Sequence, residues 1–531
     1  MSQMLKSSGA MGAATMLSRL LGMVREMTYA SFMGDGPVAS AFKVAFMVPN
    51  LFRRLLGEGA LTAAFIPIFK DKERNAGEAE MWRSANAVIC GLLVATLVIS
   101  VLAVVGIGIS LAVYPFVWKT YLMLKLLQIM FPYVILVCLA AVFMGMLNAR
   151  GHFFMPAMGA TLLNVVMIAT VLWWAPRFGQ TLASQIFALA FGVLIAGVAQ
   201  AWFQLPPLRK EGYRFQWVAP WGDPTVREVL RKMAPGTLGV AAFQINVLVT
   251  QGVALQIDDT INASFDYAVR LMELPQGVFG ISLATYLLPT LSGLAAEKKF
   301  PDFCSTYRQG FGYLLFVNLL ASILLVVMAE PIVRLLFERR AFDSASTERT
   351  ALALMWLAPG LAVFSAVNIT ARAFYALGDT ATPMRISMVS LAFNLLIALW
   401  LVGPFRQAGL AAANTISAVV NLALLVYGLR RALSGLGPRL LIAPTLAMSA
   451  GALVAGGISW GVLRLWDQHI GHESTLTKIG EVFVPMIPAA AAYWAIAKWQ
   501  RIPAADDVWA LVRQKLTRRH SKPSDPPESG A

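Results

Sequence analysis

Residues 86–113 read NAVICGLLVATLVISVLAVVGIGISLAV and contain no charged side chain. A run of about 20 apolar residues is long enough to cross the hydrocarbon core of a bilayer as an α-helix. The whole chain shares this character, because 58% of its 531 residues are hydrophobic and only 13% are charged. Soluble domains carry about 25% charged residues. The sequence therefore predicts an all-α polytopic membrane protein with about 14 transmembrane helices.

The net charge of +15 is unevenly distributed between the predicted loops. With the N-terminus inside, about 26 Lys and Arg residues fall on cytoplasmic segments and about ten on the opposite loops. This bias predicts that both termini are cytoplasmic. Attraction to anionic lipids accounts for the remaining basic excess, so no nucleic-acid partner is expected.

Two pairs of segments repeat at a nearly constant spacing. Residues 148–164 resemble residues 376–394, and residues 39–50 resemble residues 262–277. Gly151 and Gly378 are 227 positions apart, and Pro49 and Pro275 are 226 apart. Six predicted spans separate the copies, so both keep the same orientation, as in transporters built from two parallel repeats. The predicted segments are an N-lobe at 1–207 (helices 1–6), a cytoplasmic amphipathic linker at 208–232, a C-lobe at 233–432 (helices 7–12), helices 13 and 14 at 433–500, and a cytoplasmic tail at 501–531.

Several basic side chains lie inside the predicted spans or at their edges, namely Arg19, Arg25, Arg53, Arg54 and Arg270. An arginine in hydrocarbon costs about 2.5 kcal/mol or more, so it persists only where it faces a wet cavity, a partner or a substrate. Their surplus positive charge predicts a central cavity that binds an anion, and guanidinium forks suit phosphate oxygens. Glu26 can pair with one of these charges or with another helix. Lys43 either extends towards the interface or joins the cavity.

Internal ion pairing is the alternative interpretation. Arg54 and Glu58 are spaced i,i+4, and Arg270 and Glu273 are spaced i,i+3, so each pair can meet on one helix face. This explanation suits Arg19, Arg25 and Arg53 less well, because few acidic residues are near them in sequence.

Proline and glycine interrupt two of the predicted helices at corresponding places. Pro49 and Gly57 lie in one copy of the repeat, and Pro275 and Gly277 lie in the other. Helices broken at matching points of two repeats indicate a central binding site. We expect these four residues to act as conformational hinges.

Other kinds of site are not favoured. The sequence contains no P-loop, GxSxG or HExxH motif and no metal-binding carboxylate cluster. His469 and His472 lie in an outer loop, where the sequence offers no convergent ligands. No cofactor and no confident metal site is therefore expected.

Four motifs resemble one known family. SRLLGMVRE (18–26), VPNLFRRLLGEGALTAAFIP (48–67), RLMELPQGVFG (270–280) and FYALGDTATP (374–383) are similar to motifs of the MurJ (MviN) lipid II flippases, which belong to the MOP exporter superfamily. The resemblance implies a bacterial inner-membrane transporter rather than an enzyme, with two six-helix lobes around a central cavity. It also implies that lipid II, an undecaprenyl-pyrophosphate-linked disaccharide peptide, is flipped to the outer leaflet for peptidoglycan biosynthesis by alternating access. Helices 13 and 14 would form a groove for its lipid tail.

The resemblance also assigns roles to individual residues. The substrate-binding set that it implies is Arg19, Arg25, Arg53 and Arg270, with Glu58 and Glu273 nearby. This chain departs from the family pattern in having Ser40 and Val269 where an Asp is frequent. Asp266, one turn before Arg270, partly replaces the second of these.

Coupling to an ion is less clearly implied. Asn394 matches one residue of a sodium site proposed for the family, but its partner position is Ala398. Asn394 is therefore a weak sodium candidate, and the membrane potential is the other candidate driving force. It contributes about 2.3 kcal/mol per charge per 100 mV.

Alternative functions remain open from the sequence alone. The chain could export another polyprenyl-linked saccharide or drugs, although a cavity for cationic drugs would be acidic. An intramembrane enzyme acting on polyprenyl phosphates would need metal-binding aspartates. Beyond lipid II, the expected partners are membrane lipids and wall-synthesis proteins.

Overall fold

The computed structural model describes residues 2–57, 60–152, 154–277, 281–433, 435–437 and 439–506. These residues form helices and no β-strand, which confirms the all-α class. In chain order the helices are α1 (Ser2–Met33), α2 (Pro37–Phe52), α3 (Ala60–Asn75), α4 (Gly77–Val113), α5 (Trp118–Met130), α6 (Tyr133–Ala149), α7 (Phe154–Ala169), α8 (Ala175–Phe178), α9 (Leu182–Lys210), α10 (Pro224–Ile257), α11 (Ile261–Pro275), α12 (Ile281–Ala296), α13 (Phe300–Val327), α14 (Ala329–Phe337), α15 (Ser344–Leu357), α16 (Gly360–Ala376), α17 (Ala381–Ala432), α18 (Arg439–His469) and α19 (Thr475–Trp499).

Seven of the described helices are long and apolar enough to cross a membrane. The number rises to nine if each of two bent helix pairs is one span, so the predicted count of fourteen is not confirmed. The reason is local, because α2, α11 and α12 have only 16, 15 and 16 residues. A span of the usual kind needs about 20 residues.

The predicted breaks occur in both copies of the repeat. A π-helical turn, Arg53–Gly57, follows α2, and Pro49 lies inside that helix. α11 ends at Pro275, and Gly277 lies in the π-helical backbone that follows. Proline lacks the N–H that continues the helical ladder, and π-helical turns occur often at functional sites.

The internal repeat is visible in local structure. α5 and α6 form a pair bent by 45°, and α15 and α16 form a pair bent by 43°. Each second helix starts after a proline, Pro132 or Pro359. Gly151 and Gly378 have φ angles of +87° and +80°, a conformation that glycine adopts readily. These features recur about 227 residues apart, as the sequence predicts.

The chain divides into two compact units. Unit 1 contains residues 1–270, 336–353 and 391–413, and unit 2 contains residues 271–335, 354–390 and 414–531. α17 passes through both units and is kinked at Arg406, whose φ is +49°. The predicted lobe and linker boundaries stay predictions, and most of the predicted tail lies outside the described residues.

Aromatic side chains organise the core of each unit. In unit 1, Trp82 packs against Phe69 and Tyr213, with ring centroids 5.5 and 5.6 Å apart. In unit 2, Tyr493 of α19 stacks on Phe316 of α13 at 5.0 Å and donates a hydrogen bond to its carbonyl oxygen at 2.9 Å. Apolar helices gain no hydrophobic free energy by associating within a bilayer, so specific contacts of this kind hold them together.

An ion-pair network lies at the helix ends around Arg150, which follows α6 in unit 1. Its Nε donates to Glu211 at 2.8 Å, its Nη2 lies 3.1 Å from Glu78, and its Nη1 pairs with Glu73. His152 lies 2.8 Å from the other oxygen of Glu211. The hydrogen bonds from His152 and Arg150 lower the pKa of Glu211 below its ordinary value. The network joins α3, α4, α6 and α9.

We expect Glu211→Gln to lower thermal stability at neutral pH, because it removes the charge that Arg150 and His152 share. A lowered pKa means that the contribution is complete above the ordinary carboxyl value of about 4.3 and is lost as pH falls through the lower folded-state value. The expected loss is about 1 kcal/mol, or about 1 °C in melting temperature for a chain of this length. The melting temperatures of the two proteins should differ at neutral pH and converge at acidic pH, once Glu211 is protonated.

The exposed Glu348 provides a matched control, since Glu348→Gln removes the same charge outside this network. A difference for Glu211→Gln that is no larger at neutral pH than that for Glu348→Gln would contradict the assignment.

Candidate functional site

Five charged side chains from three helices of unit 1 meet at one place. α1 supplies Arg25 and Glu26, α2 supplies Lys43, and α11 supplies Asp266 and Arg270. We call these five residues the charge cluster. It contains three cations and two carboxylates, so one positive charge is in excess.

Glu26 lies at the centre of the charge cluster. It is only 3% exposed. Its Oε1 accepts a hydrogen bond from Nη2 of Arg25 at 2.6 Å, and its Oε2 accepts one from Nζ of Lys43 at 3.3 Å. Nε of Arg270 lies 3.9 Å from Oε1. A carboxylate buried in a protein persists as a charge only with such partners.

Lys43 links the two carboxylates. Its Nζ donates to Asp266 at 2.6 Å as well as to Glu26. Lys43 therefore pairs with two carboxylates, and its place in a central cavity stays a prediction. Asp266 also lies 3.9 Å from Nη2 of Arg270, one turn along the same helix.

Aromatic rings cover part of the charge cluster, and Arg270 is its most exposed cation. Nζ of Lys43 lies 3.5 Å from the ring centroid of Tyr267, and Cζ of Arg25 lies 5.4 Å from that of Tyr29. Both rings are buried, and cations over aromatic faces are favourable contacts. The side chain of Arg270, in contrast, is 38% exposed. A ligand would therefore meet Arg270 first.

A second polar contact set holds the segments next to the charge cluster. Nε and Nη2 of Arg349 donate to the two oxygens of Asp35 at 2.7 and 2.8 Å, and Ser346 donates to Asp35 at 2.7 Å. The hydroxyl of Ser40 donates to the carbonyl of Asp259 at 2.6 Å. Ser40 therefore ties α2 to the segment before α11 through a neutral hydrogen bond.

The other sequence-predicted arginines lie further along their helices. Arg19 is about 9 Å from Arg25 along α1, and Arg53 is about 15 Å from Lys43 along α2. Arg53 is half-buried and Arg54 is exposed, both in the π-helical turn after α2. The structure thus brings together two of the predicted arginines, Arg25 and Arg270, with three charges from elsewhere.

The remaining candidates have the following positions. Glu58 lies outside the described residues. Glu273 is half-buried in α11, and Val269 is a half-buried neighbour of Arg270. Asn394 accepts a hydrogen bond from Nδ2 of Asn246 at 3.3 Å. This contact joins α10 and α17 within unit 1.

A cavity of about 590 Å³ lies beside α1 but apart from the charge cluster. It is lined by Val24, Met27, Thr28 and Ser31 of that helix, together with Arg340 and six other residues. The helical period of 3.6 places these four positions on the face opposite Glu26. This cavity is a separate feature from the site of the charges.

Sequence reasoning missed Lys43 and Asp266 as definite members of the site. A usable signal was present, since Asp266 and Arg270 are spaced i,i+4 on one helix. The partner of Asp266, however, is 223 residues away, and no local pattern indicates it.

Comparisons with known proteins agree in one family. Residues 29–479 match the family model described as lipid II flippase MurJ. The chain is similar to a probable lipid II flippase MurJ of Rhizobium tropici, with 31% identity over 526 residues that cover 97% of this chain and 96% of the relative.

Solved structures agree on the fold. The chain resembles the structure of a lipid II flippase MurJ in an inward closed conformation, with a TM-score of 0.75, 23% identity and coverage of 91% of this chain and 98% of that one. It also resembles an inward-facing multidrug resistance MATE family transporter of the MOP superfamily, with a TM-score of 0.62, 15% identity and coverage of 80% and 98%. These likenesses place the helices described above in the fold that the two transporters share.

Proposed function

The chain belongs to the MurJ family of lipid II flippases, and from that premise we propose that its charge cluster binds the pyrophosphate of lipid II during flipping. The protein is a multi-pass membrane transporter rather than an enzyme, and it flips lipid II by alternating access. The observation that carries the proposal is the convergence of Arg25, Lys43 and Arg270 from three helices, with Arg270 as the most exposed of these cations.

The chemistry of the charge cluster suits a pyrophosphate. Arginine forms bidentate hydrogen bonds with phosphate oxygens, and each charge-assisted bond is about twice as strong as a neutral one. Arg25 and Arg270 offer two such groups next to one another. A pyrophosphate would compete with Glu26 for both of them.

Lys43 has a distinct role in this proposal. When the two arginines turn to the phosphates, Glu26 and Asp266 would lose part of their compensation. Lys43 already contacts both carboxylates at 3.3 and 2.6 Å, so it keeps one positive charge between them. The buried part of the charge cluster therefore stays intact while Arg270 exchanges partners.

The rest of the transport cycle follows the same proposal. Arg19 and Arg53 add positive potential along the path, and the breaks after α2 and at Pro275 allow the helices to bend. The lipid tail stays in the bilayer along α18 and α19, whose outward side chains include Leu453 and Ile487 at 65% and 69% exposed. The membrane potential acts on the charge of the site and is the proposed driving force. Asn394 remains the weaker sodium candidate.

A flipping assay with two head groups tests the proposal. Purified protein is reconstituted in liposomes with fluorescent lipid II or with the same saccharide on a polyprenyl monophosphate. We expect lipid II to become accessible to an external quencher at least about tenfold faster than the monophosphate, because the second phosphate adds charge-assisted hydrogen bonds.

Arg83 supplies the matched control for this experiment. It is a surface arginine that pairs with Glu80 at 2.8 Å, and its side chain is 44% exposed. Arg83→Ala should leave both rates unchanged. Equal flipping rates for the two head groups would contradict recognition of the pyrophosphate. A lipid II flipping rate no higher than that in protein-free liposomes would contradict flipping itself.

A further inference from the structure

Three potential metal ligands converge where α18 and α19 meet in unit 2. Asp467 lies near the end of α18, His472 in the connecting turn, and Glu481 in α19. One ligand atom from each side chain lies within 4.8 Å of the others. The proposed transport mechanism uses none of them.

Glu481 lacks a partner on one side. Its side chain is only 1% exposed, and Oε1 accepts a hydrogen bond from Nη1 of Arg334 at 2.5 Å. Oε2 is also buried and has no hydrogen-bond partner among the described residues, and the same is true of Nδ1 of His472. A buried polar atom without a partner is costly, and a bound cation would satisfy both atoms at once.

The surrounding charge also favours a cation. Asp467 and Glu330 add negative potential at Glu481, while Arg334 and Lys478 add positive potential. Three carboxylates therefore face two cations. Arg334 is itself shared between Glu481 and Glu330, so it leaves part of this negative charge uncompensated.

We propose that Asp467, His472 and Glu481 bind a divalent transition-metal ion of the Zn²⁺ type. One imidazole nitrogen and two carboxylate oxygens are ligands that Zn²⁺ accepts, and three protein ligands leave a fourth position for water. Tetrahedral ligands around zinc stand about 3.4 Å apart, so the two more exposed side chains need to move only slightly. Arg334 holds Glu481 in place for coordination.

The consequence of binding is local. The ion ties the end of α18, the connecting turn and the start of α19 to one point. These two helices lie outside the internal repeat and have no counterpart in it. The proposal does not depend on the flippase function.

His469 provides a matched control three residues before His472. Its ring nitrogen Nδ1 lies 2.9 Å from the carbonyl of Leu465 in its own helix, and it is not among the converging ligands. The sequence pattern His-x-x-His is therefore misleading, since only the second histidine meets the carboxylates.

Metal content and thermal stability test the proposal. Full-length, tag-free protein in lipid nanodiscs is dialysed against buffered Zn²⁺, and bound metal is measured by mass spectrometry. We expect one Zn²⁺ per chain, a melting temperature that EDTA lowers, and a Co²⁺ form with visible d–d absorption. His472→Ala should weaken binding at least about tenfold, and His469→Ala should not.

Glu481→Gln is the second variant, because it keeps the shape of the buried side chain and its contact with Arg334. It should also lose the metal while still flipping lipid II. Absence of stoichiometric Zn²⁺ in the wild-type protein would overturn the proposal. An equal loss of Zn²⁺ affinity in His469→Ala and His472→Ala would overturn it too. So would binding of Mg²⁺ alone that His472→Ala leaves unchanged.

Discussion

Arg270→Ala is expected to slow lipid II flipping about tenfold to a hundredfold while folded protein remains in the membrane. Arg270 is the most exposed cation of the charge cluster, and its contacts with Glu26 and Asp266 are both 3.9 Å long. Removing it leaves the shorter contacts of those carboxylates with Arg25 and Lys43 in place, so we expect the protein to remain folded. What is lost is the interaction with the substrate, which is worth about 1.5–3 kcal/mol for each charged hydrogen bond. This free energy corresponds to about tenfold to a hundredfold in rate.

The measurement combines fluorescent lipid II flipping in liposomes with complementation of a flippase-depleted strain. Arg270→Lys retains the charge without the fork and should be intermediate. Arg177→Ala is the matched control, because Arg177 is exposed and donates only to the carbonyl of Trp173 in the preceding turn, at 2.6 Å. Full complementation by Arg270→Ala at equal protein levels would exclude the proposed role.

Glu26→Gln is expected to be the most destabilising conservative substitution in the charge cluster. It keeps the shape of the side chain but removes the buried negative charge that contacts Arg25, Lys43 and Arg270. Removing one partner of a buried ion pair costs about 3–5 kcal/mol. We expect a large fall in the melting temperature in detergent and reduced accumulation in the membrane.

Glu80→Gln is the control for this loss. Glu80 also pairs with an arginine, Arg83, but at the exposed surface, where an ion pair contributes about 0–1 kcal/mol. The double variant Glu26→Gln, Lys43→Met removes one surplus charge and should recover part of the stability. If Glu26→Gln were as stable as Glu80→Gln, the central position of Glu26 would be refuted.

The local features of the fold could be predicted because they depend on neighbouring residues. The break at Pro275 follows from a missing N–H, and the turns at Gly151 and Gly378 follow from a φ that glycine tolerates. The count of fourteen spans could not be confirmed in this way. Broken helices such as α2 and α11 are too short to be recognised as spans by length and composition.

The candidate site was predicted in kind but not in detail. Several arginines in apolar helices indicate an anion site, because a charge in hydrocarbon is costly. The spacing i,i+3 pairs Arg270 with Glu273, and that pairing stays a prediction. The structure adds the carboxylates of Asp266, one turn earlier, and of Glu26 on another helix, each with an oxygen 3.9 Å from a nitrogen of Arg270.

The sequence by itself determined that this protein crosses the membrane, that it is duplicated, and that cations occupy its spans. These properties follow from hydropathy, spacing and the cost of burying charge, which are set residue by residue. Only the tertiary structure decided that Lys43 neutralises Asp266, 223 residues away, and that Glu481 meets Arg334 and His472. The strength of a charge pair depends on the distance between helices, and that distance is set by side-chain packing rather than by position along the chain.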